Sequence, residues 1–397
     1  MNAMKTVPVV YILFICISLL LSGCWDRKEI NRLGIVMMSA IDVDEDGGII
    51  GTVQIPLPSG GGAENGKGTA DKGFYTISAK GKNINDMMQH LQERSSRELF
   101  VSHRRVLLIG ESLAERGLKD VLDYYTRDPD SRLRTYVFIV RGRKAGELLD
   151  ISIPSEQVPG TAIMELAKSK IATGSKLGNI VTEMATDGIV PTIDVLEVRP
   201  TSVLKESKGN SDSTFRLNGS AVIKDYKLVG FLNIEKMRGL LWIRDMLNKG
   251  VVTTQVPGEE GEVSFDVVGA SRKIRFILQR HDVKVNIFLE AEGPVYENDT
   301  NLDLRDPLHI KKVEEALSNA IKTRVEQTIE IVQMELRADI LGIGQELYRT
   351  HPRKWNELSE KWEDIFPEIE ISVNAKVTVR RSGVIGAPLH IKEDELK

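Results

Sequence analysis

The chain has 397 residues, of which 28% are charged and 41% hydrophobic, and its formal net charge is −4. That is an ordinary composition for a folded, water-facing protein, and the missing basic excess argues against a nucleic-acid partner. After Leu21 no apolar stretch approaches spanning length, which excludes a polytopic membrane body.

At the N-terminus Lys5 precedes an apolar run from Val7 to Leu21. A helix needs roughly 20 apolar residues to cross a hydrocarbon core of about 30 Å, so this run reads as the apolar region of an export signal. It ends in Leu21-Ser22-Gly23-Cys24, the cleavage pattern of bacterial lipoproteins. Residues 1–23 are then the signal peptide and Cys24 is the lipid attachment site, its thiol taking a diacylglyceryl group. The new amino group is commonly acylated too, by chains such as palmitate. An uncleaved anchor with a chance cysteine is the alternative. Cys16 leaves with the signal and Cys24 carries lipid, so no disulfide is expected in the 374-residue mature body.

Beyond a charged lead, Trp25 to Leu33, a strand is expected over Gly34 to Val43. Asp42-Val43-Asp44-Glu45-Asp46-Gly47-Gly48 opens like a calcium-binding EF-hand loop. Val53, however, stands where that loop requires a bidentate Glu, and an Asp-Gly pair between apolar runs predicts a hairpin turn instead. The return strand runs from Ile49 to Leu57. Within the glycine-rich loop from Ser59 to Gly73, Gly61 to Lys67 imitates a phosphate loop. Gly68 occupies the position that should hold magnesium through a hydroxyl, so the segment is expected to be a disordered loop.

From Phe74 the pattern becomes mixed α/β. Strands are expected at Tyr75 to Ala79, Val106 to Ile109 and Tyr136 to Val140, with helices over Ile84 to Leu91 and Leu113 to Tyr125. Strand, helix and strand in that order predict a parallel crossover. Short helices follow around Ala145 to Leu149 and Ala162 to Ala172, then an extended segment, Ile189 to Val198. Thr201 to Asp212 is polar and reads as a linker or long loop. Past it come a hairpin through Lys224-Asp225-Tyr226 and a helix capped by Asn233. Four strands are then expected, at Val251 to Val256, Val263 to Val268, Lys273 to Leu278 and Val283 to Leu289.

Asp306-Pro307 opens the longest helix. Its apolar positions, Val313, Leu317, Ile321, Val325, Ile329, Val332 and Leu336, recur every three or four residues over about 45 Å. The opposite face mixes Lys and Glu, so packing across a sheet is expected rather than membrane binding. Trp355, Leu358 and Trp362 share one stripe of a short helix, and Ile369 to Val379 is a final strand.

The search for chemistry finds little. The six histidines are scattered, and none pairs with another at metal spacing. Gly110-Glu111-Ser112 lacks the second glycine of a nucleophile elbow. Gly342-x-Gly344 continues to Leu347, where a dinucleotide loop wants Gly or Ala. No catalytic, metal-binding or cofactor-binding residue is assigned, and no enzyme is expected.

Cys24-Trp25-Asp26 after the lipoprotein pattern, Ile41 to Asp44, and Arg127-Asp128-Pro129 resemble the Ger(x)C family. So do Gly219 to Val222, Leu228 to Phe231, Arg238 to Trp242, Ala338 to Gly344, Pro352 with Trp355, and Trp362 to Pro367, all in family order. Members are the lipoprotein C subunits of nutrient germinant receptors in endospore-forming bacteria. The resemblance implies three α/β domains on the outer face of the spore's inner membrane, working beside two integral membrane subunits without binding nutrient tightly. The glycine-rich loop departs from the family's compact pattern.

The expected fold is therefore mixed α/β and multidomain. An N-terminal α/β domain over 24–200 carries a mixed sheet with helices, a middle domain with its linker spans 201–270, and an antiparallel sheet packs on the long helix over 271–397. The alternative function is a lipid-anchored solute-binding protein of a transporter, which calls for two similar lobes around a cleft.

Overall fold

The computed structural model describes residues 29–57, 73–151, 156–169, 171–200, 213–247, 249–279 and 283–381. Cys24 and the expected signal before it, residues 59–72 of the glycine-rich loop, and the polar stretch 201–212 lie outside them. None of the described helices is long and apolar enough to cross a membrane.

The first half is built on one eight-stranded sheet. Its strands are β2 (Met38–Val43), β3 (Ile49–Pro56), β4 (Phe74–Gly81), β6 (Val106–Gly110), β7 (Tyr136–Val140), β8 (Thr192–Pro200), β9 (Ser213–Lys224) and β10 (Lys227–Leu232). Their order across the sheet is β10-β9-β8-β7-β6-β2-β3-β4. The central four, β8, β7, β6 and β2, are parallel, and the flanking pairs are antiparallel hairpins. Strand pairing thus runs straight through residue 200, because β8 pairs with β9 across the polar stretch. A short parallel pair, β1 (Leu33–Ile35) with β5 (Glu98–Phe100), sits beside it. The single strand expected over Gly34 to Val43 is divided between β1 and β2.

Successive residues of the parallel strands bury on opposite faces. Leu107 and Ile109 join one apolar layer and Val106 and Leu108 the other. Both faces are therefore covered, which explains the unbroken apolar runs. One layer is closed by helices α1 (Ile84–Glu93), α2 (Glu111–Arg116), α3 (Lys119–Arg127) and α5 (Leu177–Met184). The other is closed by a 3₁₀ turn, Ala145–Asp150, and by α4 (Pro159–Lys168). The single helix expected over Leu113 to Tyr125 is two. Gly117 adopts φ +136°, open to glycine, and the N–H of Leu118 turns aside to donate to the Tyr226 carbonyl at 2.7 Å.

The second half opens with α6 (Ile234–Ile243) and holds a five-stranded sheet: β11 (Gly250–Gln255), β12 (Glu262–Val267), β13 (Gly269–Leu278), β14 (Val283–Asn298) and β15 (Glu370–Arg381). All its pairs are antiparallel except β14 with β15, which run parallel because the helical excursion between them returns the chain to the same edge. The long helix α7 (Pro307–Glu330) lies against this sheet. Its Ser318 hydroxyl and Glu314 carboxylate accept the N–H groups of Val377 and Val379 on β15, both within 2.9 Å. Its last turn, Ile331–Leu336, widens to a π-helix. Three short helices follow, α8 (Ile343–Thr350), α9 (Pro352–Leu358) and α10 (Trp362–Ile365). Of these α8 was not read from the sequence, although Ile343 and Leu347 stand at helical spacing and are both buried, and α9 and α10 divide what reads as one helix.

Leu317 is fully buried in the core between α7 and the sheet. Leu317→Ala should cost about 2–5 kcal/mol in equilibrium unfolding, as cavities in packed cores do. Coincident unfolding curves for this variant and the parent would show that α7 is no part of the core.

Candidate functional site at the Asp339 junction

The π-turn that ends α7 leads into Arg337, whose left-handed φ of 47° reverses the chain into Ala338 to Gly344. Asp339 organises this reversal. Its carboxylate accepts the backbone N–H groups of Gly342 (2.9 Å), Ile343 (3.1 Å) and Gly344 (2.7 Å) and the indole N–H of Trp362 (3.0 Å). The acid thereby satisfies the free N–H groups at the start of α8, where the helix dipole also favours a negative charge. Burial pushes the Asp339 carboxyl up to about 6, against the pull of the four N–H bonds. At neutral pH the group is a buried carboxylate with its acceptor positions occupied, so it holds structure and is not placed to abstract a proton.

The junction joins the two halves of the molecule. The N–H of Val190 donates to the Asp339 carbonyl and that of Gln345 to the Gly188 carbonyl, each at 2.8 Å. Gly188 has φ +77°, and a Cβ there would stand 2.5 Å from the backbone of Gly344 and 2.6 Å from the Trp355 ring. Only hydrogen fits. From α6's end, Arg244 reaches in between: Nε donates to the Ile340 carbonyl at 2.7 Å and the guanidinium pairs with Glu183 of α5 at 3.1 Å. Lys224 and Glu363 make a further crossing pair at 2.8 Å. Trp355 and Trp362 stack edge to face at 5.2 Å beneath. A cavity of about 460 Å³ opens beside the junction, bounded by Asp187, Gly188, Lys224, Trp355 and Glu363.

The residues singled out in the sequence are scattered among other tasks. Cys24 lies outside the described residues. Asp42 is buried and accepts the N–H groups of Ala145 (2.7 Å) and Gly146 (2.8 Å), with burial raising its pKa; Asp44 pairs with Lys80 at 2.8 Å. Asp42 and Asp44 of the calcium-like loop are thus committed to different partners, and β2 and β3 form the hairpin. Glu111 accepts the N–H of Gly142, and the Gly342-x-Gly344 turn has its N–H groups taken by Asp339 rather than left open for a phosphate. Among the described residues, no group of three or more His, Cys, Asp and Glu could hold a metal ion.

Sequence reasoning missed the Arg244–Glu183 pair, whose partners stand 61 residues apart with no local signal. It also missed Asp194, fully buried, which accepts the N–H groups of Thr173, Gly174 and Ser175 and the Thr173 hydroxyl. An acid inside the apolar run Ile193 to Leu196 is itself a signal, because a buried carboxylate needs several donors.

Comparison with known proteins decides the family. A model described as "Spore germination protein N-terminal domain" matches residues 26–198, and one described as "Spore germination B3/ GerAC like, C-terminal" matches 218–383. The putative spore germination protein YfkR of Bacillus subtilis (strain 168) is 30% identical over 94% of this chain and 96% of its own length. The chain belongs to the Ger(x)C family of spore germination proteins. Spore germination protein A3 of the same organism is 26% identical over 94% of this chain and 98% of its own. A crystal structure of the GerBC protein superposes with a TM-score of 0.58, covering 86% of this chain and 96% of that one; at 20% identity it shows a shared fold. In this Ger(x)C chain the two matched regions meet along the β8–β9 pair and again at the Asp339 junction. Glu183, Gly188 and Val190 belong to the first, and Arg244, Asp339, Gly344 and Trp362 to the second.

Proposed function

We propose that this Ger(x)C protein is the lipid-anchored C subunit of a nutrient germinant receptor. It is held by Cys24 on the outer face of the spore's inner membrane, and it acts through contacts with the receptor's membrane subunits rather than by catalysis. The observation that carries this reading is the family match, which extends over nearly the whole chain. The site chemistry agrees. The buried acids Asp42, Asp194 and Asp339 all serve as acceptors for backbone N–H groups, which makes a rigid body with surfaces to offer. A lipid tether would confine those surfaces beside the membrane and raise their effective concentration for membrane partners.

The rival, a solute-binding protein, calls for two similar lobes. The two sheets here differ in strand number and in direction, one with a parallel centre and the other almost wholly antiparallel. The test compares germination of deletion spores on several nutrients with calorimetric titration of the purified mature chain by the same nutrients. Deletion is expected to abolish the response of one receptor, and titration to give no saturable heat. Saturable micromolar binding would favour the solute-binding reading, and normal germination in a strain lacking redundant receptors would remove the receptor assignment.

A further inference from the structure

The parallel strands β2, β6 and β7 begin side by side, with Met38 opposite Val106 and Val106 opposite Tyr136. The segments that lead into them are basic. Arg104 and Arg105 precede β6, Arg132 and Arg134 precede β7, Lys176 bridges to Tyr136, and Lys168 ends α4. These six surround a hollow of about 180 Å³ whose lining contains no carboxylate. A chain of net charge −4 thus places six of its 53 lysines and arginines around one hollow at one end of its first sheet.

Of these six, only Lys168 pairs with a carboxylate among the described residues, Glu165. Arg105, Arg132 and Arg134 are exposed; Arg132 Nε donates to the Ser102 carbonyl at 3.2 Å, and Lys176 lies over the Tyr136 ring. Beneath them Arg104 is only 3% exposed. Its guanidinium lies 4.3 Å over the Tyr125 ring and donates to Ser131, but its Nε has no hydrogen-bond partner among the described residues. Asp128 and Asp130, in the preceding turn, accept from Ser131 and Ser102. Exposed apolar side chains are interleaved: Leu133, 55% exposed, stands between Arg132 and Arg134, and Ile171, 47% exposed, lies just past Lys168.

The same end receives the chain from its N-terminus. β1 feeds β2 there, β5 beside it leads into Arg104 and Arg105, and the N–H of Arg105 donates to the Met37 carbonyl at 2.8 Å. Cys24 precedes Glu29, the first described residue, by five positions. Even fully extended, five residues span at most about 18 Å. A lipid on Cys24 would thus keep Glu29 within that reach of the headgroups, on the segment that runs through β1 to the basic end.

We propose that the basic end around Arg105, Arg132 and Arg134 is a docking surface for anionic phospholipid headgroups, which orients the body on the membrane. Its orienting role rests on the anchored reading given above. Phosphate groups match a hollow rimmed by guanidinium and ammonium groups, and the interleaved Leu133 and Ile171 suit the headgroup boundary as the apolar part of an interfacial site. Basic residues close to an anionic bilayer each raise partition about fivefold, so the patch supplements acyl chains as a second attachment.

The test uses the full mature chain carrying Cys24→Ala, so that no acyl chain contributes. It is sedimented with vesicles of phosphatidylcholine alone or of equal parts phosphatidylcholine and phosphatidylglycerol. Uptake is expected on the mixed vesicles only, weakening as salt rises. Arg105→Gln, Arg132→Gln and Arg134→Gln combined should lower the partition coefficient about a hundredfold. The corresponding triple Arg→Lys variant should keep most of it, which separates lost charge from lost folding. Neutralising Lys311, Arg353 and Lys376, exposed elsewhere, should leave uptake nearly unchanged. No uptake by the parent, equal uptake by the patch variant, or an equal loss in the control variant would overturn the proposal. So would release by low millimolar inorganic phosphate at constant ionic strength, which would mark a free-anion pocket. Because the protein used carries no lipid, these outcomes are independent of whether Cys24 is acylated in the cell.

Discussion

Asp339→Ala is expected to lose about 3–5 kcal/mol of unfolding free energy, because four buried N–H donors lose their acceptor together. Each donor left unsatisfied in a buried site costs about 1–3 kcal/mol, partly relieved where the site relaxes or admits water. The loss should fall on the whole molecule. The same turn carries the Asp339 carbonyl that takes the Val190 N–H, and the Gln345 N–H that reaches Gly188. Asp339→Asn should recover little, since its amide NH₂ would face N–H groups at one of the two positions where the carboxylate accepts. The pH dependence gives a second readout. Below the ordinary carboxyl value of 3.8 the group is protonated in both states. Between there and about 6 the native state keeps a proton that the unfolded chain has lost, so stability falls as pH rises across that window. Above about 6 both states are ionised and this contribution no longer changes. Burial of Asp42 and Asp194 acts in the same direction. Urea unfolding at pH 4.5 and 6.5 should therefore show a smaller drop in Asp339→Asn than in the parent. Identical drops would show that Asp339 does not titrate in this way.

Cys24→Ala is expected to abolish membrane retention of the full-length protein and to leave either the unprocessed precursor or a soluble body. The thiol is the only group at that position able to take a diacylglyceryl chain, and the other cysteine of the sequence, Cys16, lies upstream within the apolar run Val7 to Leu21. Acyl chains bind by about 0.8 kcal/mol per buried methylene. One chain is marginal and two or three hold firmly, so losing them outweighs anything a basic patch supplies. Membrane fractionation and the mass of the purified protein give the answer. A variant of normal mature mass that still resists extraction with high salt would remove the lipoprotein assignment.

What was legible in the residues was whatever repeats locally. Leu317 and Val325 announce a buried helix by spacing alone, and both are fully buried. Lys224-Asp225-Tyr226 announces a turn, and Asp225 and Tyr226 take the positive φ that a tight hairpin needs. Family membership was visible for the same reason, in ordered short runs along the chain.

The long-range pairings were a different matter, because they depend on which distant segments the packing brings together. Ala338 to Gly344 was marked as a family run, yet nothing in those residues says that Asp339 takes the indole of Trp362 or that Gly344 lies against Gly188. The basic end was hidden by the chain's net charge of −4. Its arginines and lysines come from segments near 104, 132, 168 and 176, and they share one surface because parallel strands all start at the same edge of a sheet. Local periodicity and caps follow from neighbouring residues and need no tertiary context. Register between β14 and β15, the closing of Glu183 on Arg244 and the gathering of those arginines arise only when non-local contacts offset the entropy of bringing distant segments together.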